Sequence, residues 1–322
     1  MAARRDFPAG LIPLLLVSLL AACSVGGALT PPPDGEAIPT DASFTAASGE
    51  QLATTEWIPD QPRAVILGVH GYGGYGELTF RRAAEFWKAR GIATISYDQR
   101  GFGRNASFGF WPGPSGLIDD AVLVSKQVRS RFPGLPLVVI GHSMGGGVIT
   151  AAATQEMEAD RLVLAGPAIW GGSLLNPIYR ASAWIAAGLF PERRLSGKGV
   201  VRIQASDNIE ALRELGRDKR YLAPPSAREL HGLVVLTDVA EAAAHNVKTP
   251  SLMLLGSKDQ IVVNSAARKT FNRFAGEKHV IEYPEGWHLL FRDLQAETVW
   301  RDVAEWTLTG TPPKQPNVSP QG

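Results

Sequence analysis

The sequence predicts an α/β chain: a mostly parallel central sheet flanked by helices, with a helical insertion above it. Three observations carry that prediction. Short apolar runs alternate with amphipathic stretches of helical spacing over most of residues 43–310, the pattern of a parallel sheet covered on both faces. The alternation breaks between 168 and 248, where no strand-like run occurs. A glycine-flanked serine, in VVIGHSMGGGV at 138–148, stands where an apolar run gives way to a small-residue helix.

The chain has 322 residues, 45% of them hydrophobic and 20% charged, enough for a sizeable core. Residues 1–22 read as a secretory leader: Arg4 and Arg5, an apolar run from Leu11 to Leu20, then small residues. The run is short for a membrane span and Pro13 interrupts it. Leu20-Ala21-Ala22-Cys23 resembles the bacterial lipobox, which implies a lipid-modified Cys23 at the mature N-terminus. Ser24 after it implies the outer membrane, with the protein facing the periplasm. Cys23 is the single cysteine, so no intramolecular disulfide can form. Cleavage removes Arg4, Arg5 and Asp6, turning 32 basic and 31 acidic residues into 30 and 30. A neutral body offers little pull toward nucleic acid or anionic headgroups, so the lipid must supply attachment.

Residues 23–42 are rich in Gly, Pro and small polar residues and read as a flexible tether. The α/β core is expected over 43–167 and 249–310, the helical insertion, or cap, over 168–248 and a disordered tail over 311–322. Strands are predicted at 64–71, 92–98, 137–142, 161–167, 251–259 and 279–284. Helices are predicted at 78–90, 116–132, directly after the serine, near 264–274 and near 289–307. In the insertion, Leu174, Ile178, Trp184, Ile185 and Leu189 recur at helical spacing.

Gly141-His142-Ser143-Met144-Gly145 is G-x-S-x-G at a strand-to-helix junction. Such a turn pushes a hydroxyl out at the carboxyl end of the sheet, and small flanking residues avoid clashes with strand and helix. A serine attacks only when a base takes its proton. Of six histidines, His288 in YPEGWHLLFRD follows the last predicted strand, where an imidazole can reach the sheet edge. His142 is expected to point away from the serine, and His70 to order a loop. The base needs an acid to fix its tautomer. Asp259, at the end of the preceding strand, is the first choice; Asp238 and Asp293 are weaker candidates. The order Ser143, Asp259, His288 suits this chemistry. Two donors must hold the oxyanion: the N–H of Met144 and, from the glycine-rich loop HGYGGYG at 70–76, the N–H of Tyr72.

HGYGG, YDQRGFGRN, GHSMGG, LMLLGSKDQIV and YPEGWHLLFRD together resemble the monoacylglycerol lipase and lysophospholipase branch of the α/β-hydrolase superfamily, the S33-type group. The resemblance covers most of 43–308, and ASDNIEALRELGRDKRYL is similar to the cap of that branch. It implies an α/β-hydrolase fold with Ser143 as nucleophile, Asp259 as acid, His288 as base, and Tyr72 and Met144 at the oxyanion hole. One departure is visible: Gly74-Tyr75 stand where those lipases carry a Glu-His pair, which puts a glycerol headgroup in doubt. YDQRGFGRN is read as structural bracing rather than a phosphate or metal site. The expectation is a cofactor-free and metal-free serine hydrolase acting on esters of lipophilic acyl chains, of the monoacylglycerol or lysophospholipid type. Membrane contact is expected through Cys23, with no nucleic-acid partner. Two alternatives stay open: an aminopeptidase or amidase on the same scaffold, which needs an acidic site for a substrate amine, and a catalytically inactive envelope lipoprotein.

Overall fold

A computed structural model describes residues 42–171, 177–195, 203–222 and 224–315. The leader at 1–22, Cys23, nearly all of the tether, Leu174 and residues 316–322 lie outside the described residues.

Eight strands form the sheet: β1 (Ser43–Thr45), β2 (Gln51–Trp57), β3 (Ala64–Val69), β4 (Ile92–Tyr97), β5 (Leu137–His142), β6 (Arg161–Ala165), β7 (Ser251–Gly256) and β8 (Lys278–Tyr283). Their order across the sheet is β1-β2-β4-β3-β5-β6-β7-β8. β3 through β8 pair in parallel; the β1–β2 and β2–β4 pairings are antiparallel. Every residue of β3, β4, β5 and β7 is buried. Coverage on both faces demands this, and it is why these strands read as unbroken apolar runs. β1 and β2 are absent from the prediction because they lack that signal. β2 is buried over Leu52–Thr54 but half exposed from Thr55 to Trp57, the mixed character of a strand near a sheet edge.

Eight α-helices are described: α1 (Gly76–Lys88), α2 (Gly113–Arg131), α3 (Met144–Ala152), α4 (Pro177–Leu189), α5 (Ile209–Arg217), α6 (Ala227–Ala243), α7 (Asn264–Phe271) and α8 (Ala296–Thr309). Alternate strand residues face opposite layers. Leu67 and Val139 join a core with Leu117 and Val124 of α2 and Val148 of α3. Their neighbours Ile66 and Ile140 join a second core with Phe80 and Trp87 of α1 and Val303 and Trp306 of α8. Two layers of helix thus clamp the strands and fix where each strand ends.

The last helix begins later than expected, at Ala296 rather than near 289. Leu290 and Phe291 are buried at 0% and 2% exposure, and their apolar character suggested a helical stripe. The segment instead turns tightly: the Leu289 carbonyl accepts the N–H groups of Arg292 and Asp293 at 2.7 and 2.9 Å. Between 168 and 248 the described secondary structure is helical, apart from an isolated bridge between Arg194 and Ser226. α4, α5 and α6 form this cap, and α6 packs on α3 and α2.

Candidate active site

Ser143 sits between β5 and α3 with φ 52° and ψ −117°, the only non-glycine residue at positive φ among those described. Side chains rarely tolerate that conformation, so the surroundings must impose it. They do. A Cβ on Gly145 would lie 2.2 Å from the Val69 carbonyl oxygen, and one on Gly141 would lie 2.5 Å from the Gly145 oxygen. The Ser143 carbonyl also accepts the N–H groups of Gly146 and Ala168, each at 2.9 Å. The two glycines are therefore the condition for bringing strand, helix and the end of β3 together beneath the hydroxyl.

His288 comes from the turn after β8. Its Nε2 lies 2.9 Å from Ser143 Oγ and its Nδ1 lies 2.8 Å from Asp259 Oδ2. A carboxylate can only accept, so Nδ1 donates to Asp259 and Nε2 is left as the acceptor for the serine proton. The Asp259 side chain is fully buried and that of His288 is 5% exposed. Burial alone would raise the Asp259 carboxyl. The His288 hydrogen bond and charge, with the N–H groups of Val262 and Ile261, outweigh it and hold the carboxyl below its ordinary value. The two backbone bonds are 2.8 Å from Ile261 and 2.9 Å from Val262, both to Oδ1. The weaker acid candidates are engaged elsewhere. Asp238 forms a two-pronged pair with Arg180 at 2.7 and 2.9 Å. Asp293 accepts the Trp287 N–H at 2.8 Å and the Ser206 hydroxyl at 2.5 Å.

His142 stands closer to the chemistry than its sequence position suggested. It lines the cavity described below, and its ring centroid is 5.1 Å from that of His288. Burial, followed by the nearby His288, pushes it down to about 3, so its ring is neutral. Its Nε2 then donates to the His288 carbonyl at 3.0 Å, steadying the His288 backbone. No sequence signal pointed to this contact. His70 is wholly buried and acts as the loop brace expected: its Nε2 accepts the Gln99 N–H at 2.8 Å. The YDQRGFGRN segment is held by ion pairs, Asp98 with Arg104 within it at 2.8 Å and Arg100 with Asp120 of α2 at 2.7 Å. Asp98 also accepts the Gly76 N–H at 3.0 Å, tying the segment to the start of α1.

Tyr72 and Met144 both line the cavity beside Ser143. Met144 opens α3, where a backbone N–H has no partner inside the helix. Gly71 allows the Tyr72 loop to approach: a Cβ there would lie 3.0 Å from Ser143 Cβ. The Tyr72 side chain reaches in the other direction, into the cap. Its hydroxyl donates to Glu229 Oε2 at 2.7 Å. Glu229 is 2% exposed and accepts the Ser226 N–H at 2.7 Å, completing a capping box on α6. Gly73 and Tyr75 are stitched to the cap as well. The Gly73 carbonyl accepts the Leu222 N–H at 2.8 Å, and the Tyr75 hydroxyl donates to Asp218. Glu229 was missed from sequence. The Ser-x-x-Glu spacing at 226–229 was the available signal, but it marks a helix start and carries no hint of Tyr72.

The His288 loop is tied to the cap by residues 205–208. The Ala205 carbonyl accepts the Leu289 N–H at 3.0 Å, Asn208 Nδ2 donates to the Arg292 carbonyl at 2.8 Å, and Asp207 accepts the Leu294 N–H at 3.0 Å. Between cap and sheet lies a cavity of about 440 Å3, with Ser143 and His288 on its wall. Leu230, Leu233, Val234 and Leu236 of α6, with Trp170, make much of it apolar. No carboxylate lines it among the described residues. A hydroxyl with its proton acceptor beside an apolar chamber can bind a hydrophobic acyl group and attack its carbonyl.

The family described as serine aminopeptidase, S33, matches residues 60–295. A monoacylglycerol lipase from Mycolicibacterium smegmatis is 28% identical over 273 residues, spanning 83% of this chain and 96% of that protein. A monoglyceride lipase from Mus musculus is 24% identical over 280 residues, spanning 81% and 88%. Among solved structures, the chain is similar to a monoacylglycerol lipase from Paleococcus ferrophilus, with TM-score 0.68, 20% identity and coverage of 81% of this chain and 99% of that one. A soluble variant of the monoglyceride lipase from Saccharomyces cerevisiae, in complex with a substrate analog, gives TM-score 0.69, 20% identity and coverage of 90% and 99%.

Proposed function

The chain belongs to the serine aminopeptidase S33 family and has the α/β-hydrolase fold, and on that premise we propose that it cleaves carboxylic esters of lipophilic acyl chains, of the monoacylglycerol or lysophospholipid type, through an acyl-enzyme on Ser143. Its class is that of a carboxylic ester hydrolase. The observation that carries the mechanism is the hydrogen-bonded series Ser143–His288–Asp259 opening into a chamber with an apolar wall.

In this mechanism His288 Nε2 takes the Ser143 proton as Oγ bonds to the ester carbonyl carbon. The carbonyl electron pair moves onto oxygen, where the N–H groups of Tyr72 and Met144 receive it. Collapse breaks the bond to the leaving oxygen, which takes the proton from His288, and the alcohol departs. Water then repeats the sequence: His288 takes its proton, hydroxide adds to the acyl carbon, and Ser143 leaves with that proton. Asp259 remains ionised and stabilises the imidazolium in both halves.

The aminopeptidase reading calls for an anion to hold a substrate ammonium. The described cavity wall has no carboxylate, and cap residues 172–176, 196–202 and 223 include no Asp or Glu. Glu229, the buried acid of α6, is already engaged by Tyr72 and Ser226. The names of the relatives favour lipid esters in the same direction.

A fluorophosphonate probe should label the mature protein and fail to label Ser143→Ala. A chain-length series of p-nitrophenyl esters run against aminoacyl anilides then separates the readings. Labelling with anilide turnover alone would establish a peptidase, and absence of labelling an inactive fold. Attachment through a lipidated Cys23 to the outer membrane, facing the periplasm, is part of the same proposal. It predicts partition into the detergent phase that Cys23→Ser abolishes.

A further inference from the structure

One guanidinium lines the cavity among the described residues, that of Arg292, four positions after the base. Its side chain is 8% exposed. Nη1 donates to the Leu78 carbonyl at 2.9 Å and Nη2 to Glu214 Oε2 at 2.5 Å. Glu214 belongs to α5 of the cap, is 37% exposed, and holds a second cation, Arg81, at 3.1 Å through its other oxygen. One carboxylate charge is thus divided between two guanidiniums, with Arg82 also close enough to act on Arg292. A buried cation demands an anionic partner, and a half-exposed shared carboxylate is an incomplete one. Glu214 holds Arg81 through its other oxygen and is partly exposed, so an arriving anion competes with it for Arg292.

Resting on the ester-hydrolase reading above, we propose that Arg292 forms an anion subsite which takes the phosphate of a single-chain acyl glycerophosphate, making anionic lysophospholipids preferred over neutral monoacylglycerols. The acyl chain lies against Leu230, Leu233 and Val234 of α6. The headgroup falls to the wall made by Gly74, Leu78, Thr79 and Arg292, at the start of α1 and the end of the base loop. A planar guanidinium presents paired donors to a phosphate. No carboxylate lines the described wall, which disfavours a substrate amine; the carboxylate that a phosphate meets is Glu214, its competitor for Arg292.

The test uses three octanoyl esters below their micelle-forming concentrations: 1-octanoyl-glycerol, its 3-phosphate and the corresponding glycerophosphocholine. The wild type should show kcat/KM highest for the phosphate monoester, about 10- to 100-fold above the neutral ester, with the zwitterion between them. Arg292→Met should lower the phosphate ester by at least tenfold more than the neutral ester, and Arg292→Lys should restore part of the preference. Equal wild-type rates, a preference for the neutral ester, or an equal loss on all three substrates would make Arg292 a structural ion pair and overturn the subsite. If Arg292→Met does not fold, the wild-type order and Arg292→Lys decide. A binding arm is independent of the chemistry: Ser143→Ala should bind the ether-linked 1-octyl-glycero-3-phosphate by calorimetry, and Ser143→Ala with Arg292→Lys should bind it several-fold more weakly. Binding without hydrolysis of any ester would sink the hydrolase reading and keep the subsite; hydrolysis without a phosphate preference would do the reverse.

Discussion

The sheet and the cap hold the same site by different means. Ser143 directly follows a strand whose every residue is buried, locked by parallel ladders and by glycines that backbone atoms crowd. The Tyr72 loop and the base loop are fixed to the cap by polar side chains: Tyr72 to Glu229, Tyr75 to Asp218, Ser206 to Asp293, and Arg292 to Glu214. Apolar packing and backbone ladders are spread over many atoms, whereas a buried polar pair concentrates its contribution in two groups and depends on their ionisation. The placement of Ser143 should therefore be robust to pH and sensitive to volume, and the cap contacts the converse.

The largest effect should come from the relay on the sheet side. Asp259→Asn leaves the volume nearly unchanged but removes the charge; with the amide oxygen held by the N–H groups of Ile261 and Val262, the amide NH2 faces His288 Nδ1 and favours the wrong tautomer. The kcat for ester hydrolysis should fall about 10³- to 10⁴-fold with little change in melting temperature. A loss below tenfold would mean that another acid serves the base. Next is Gly145→Ala. The added methyl would stand 2.2 Å from the Val69 oxygen and 2.7 Å from the His70 oxygen, both backbone atoms unable to rotate away. Urea unfolding should show a loss of about 3 kcal/mol or more, the range of severe overpacking and backbone conflict. A mild effect would mean that the turn is looser than its glycines require.

The pH comparison is sharper because two carboxyls near one histidine are shifted in opposite directions. Asp259 is held below its ordinary value, so its contribution is present above the unfolded value and is lost as pH falls through the lower folded one. Asp293 is pushed up to about 6 by burial, which outweighs its bonds from Ser206 and Trp287 and is reinforced by Asp207. The folded state then binds the Asp293 proton more tightly than the unfolded chain, so stability from this group falls as pH rises from about 4 to about 6. Across a shift from 3.8 to about 6, the linkage is worth up to about 3 kcal/mol. Unfolding at pH 4.5, 5.5 and 7 should show this slope in the wild type and a flatter profile in Asp293→Asn. An unchanged slope would remove Asp293 as its source.

These contrasts also explain what could be read from sequence. The parallel strands, the glycine-flanked serine and the residues at strand ends were legible because each depends on local pattern: apolar runs, small neighbours, position after a strand. β1 and β2 were not, since half-buried antiparallel strands dilute the apolar signal. The start of α8 was misplaced because Leu290 and Phe291 are buried for tertiary reasons. The contacts of His142 and Glu229 join residues 146 and 157 positions apart, and no periodicity encodes such a pairing.

A smaller effect tests the cap's hold on the oxyanion loop. Glu229→Ala frees the Tyr72 hydroxyl and should lower kcat about 3- to 10-fold while leaving KM for an octanoyl ester nearly unchanged, since a displaced N–H weakens transition-state stabilisation rather than acyl binding. Glu229→Gln keeps an oxygen for Tyr72 and Ser226 and should recover most of the rate. Because Glu229→Ala also breaks a capping box, Tyr72→Phe is the cleaner companion: it deletes only the hydroxyl and should reproduce the kcat loss without the drop in cap stability.

The smallest effect marks where polar contacts in the cap cease to matter. Arg180 pairs with Asp238 at 2.7 Å in good two-pronged geometry, but the two side chains are 36% and 30% exposed and line no part of the cavity. Water screens such a pair and its side chains lose entropy in meeting, so the net contribution is small. Arg180→Ala should therefore leave unfolding stability almost unchanged and keep kcat and KM within about twofold. If instead it matched Glu229→Ala in lowering kcat, the α4–α6 contact would be transmitting geometry to the Tyr72 loop. The division between cap contacts that touch the catalytic loops and those that only join helices would then collapse. Comparing Arg180→Ala with Glu229→Ala at 50 mM and 500 mM salt separates the two cases, because an exposed pair weakens with salt and a buried carboxylate among fixed donors does not.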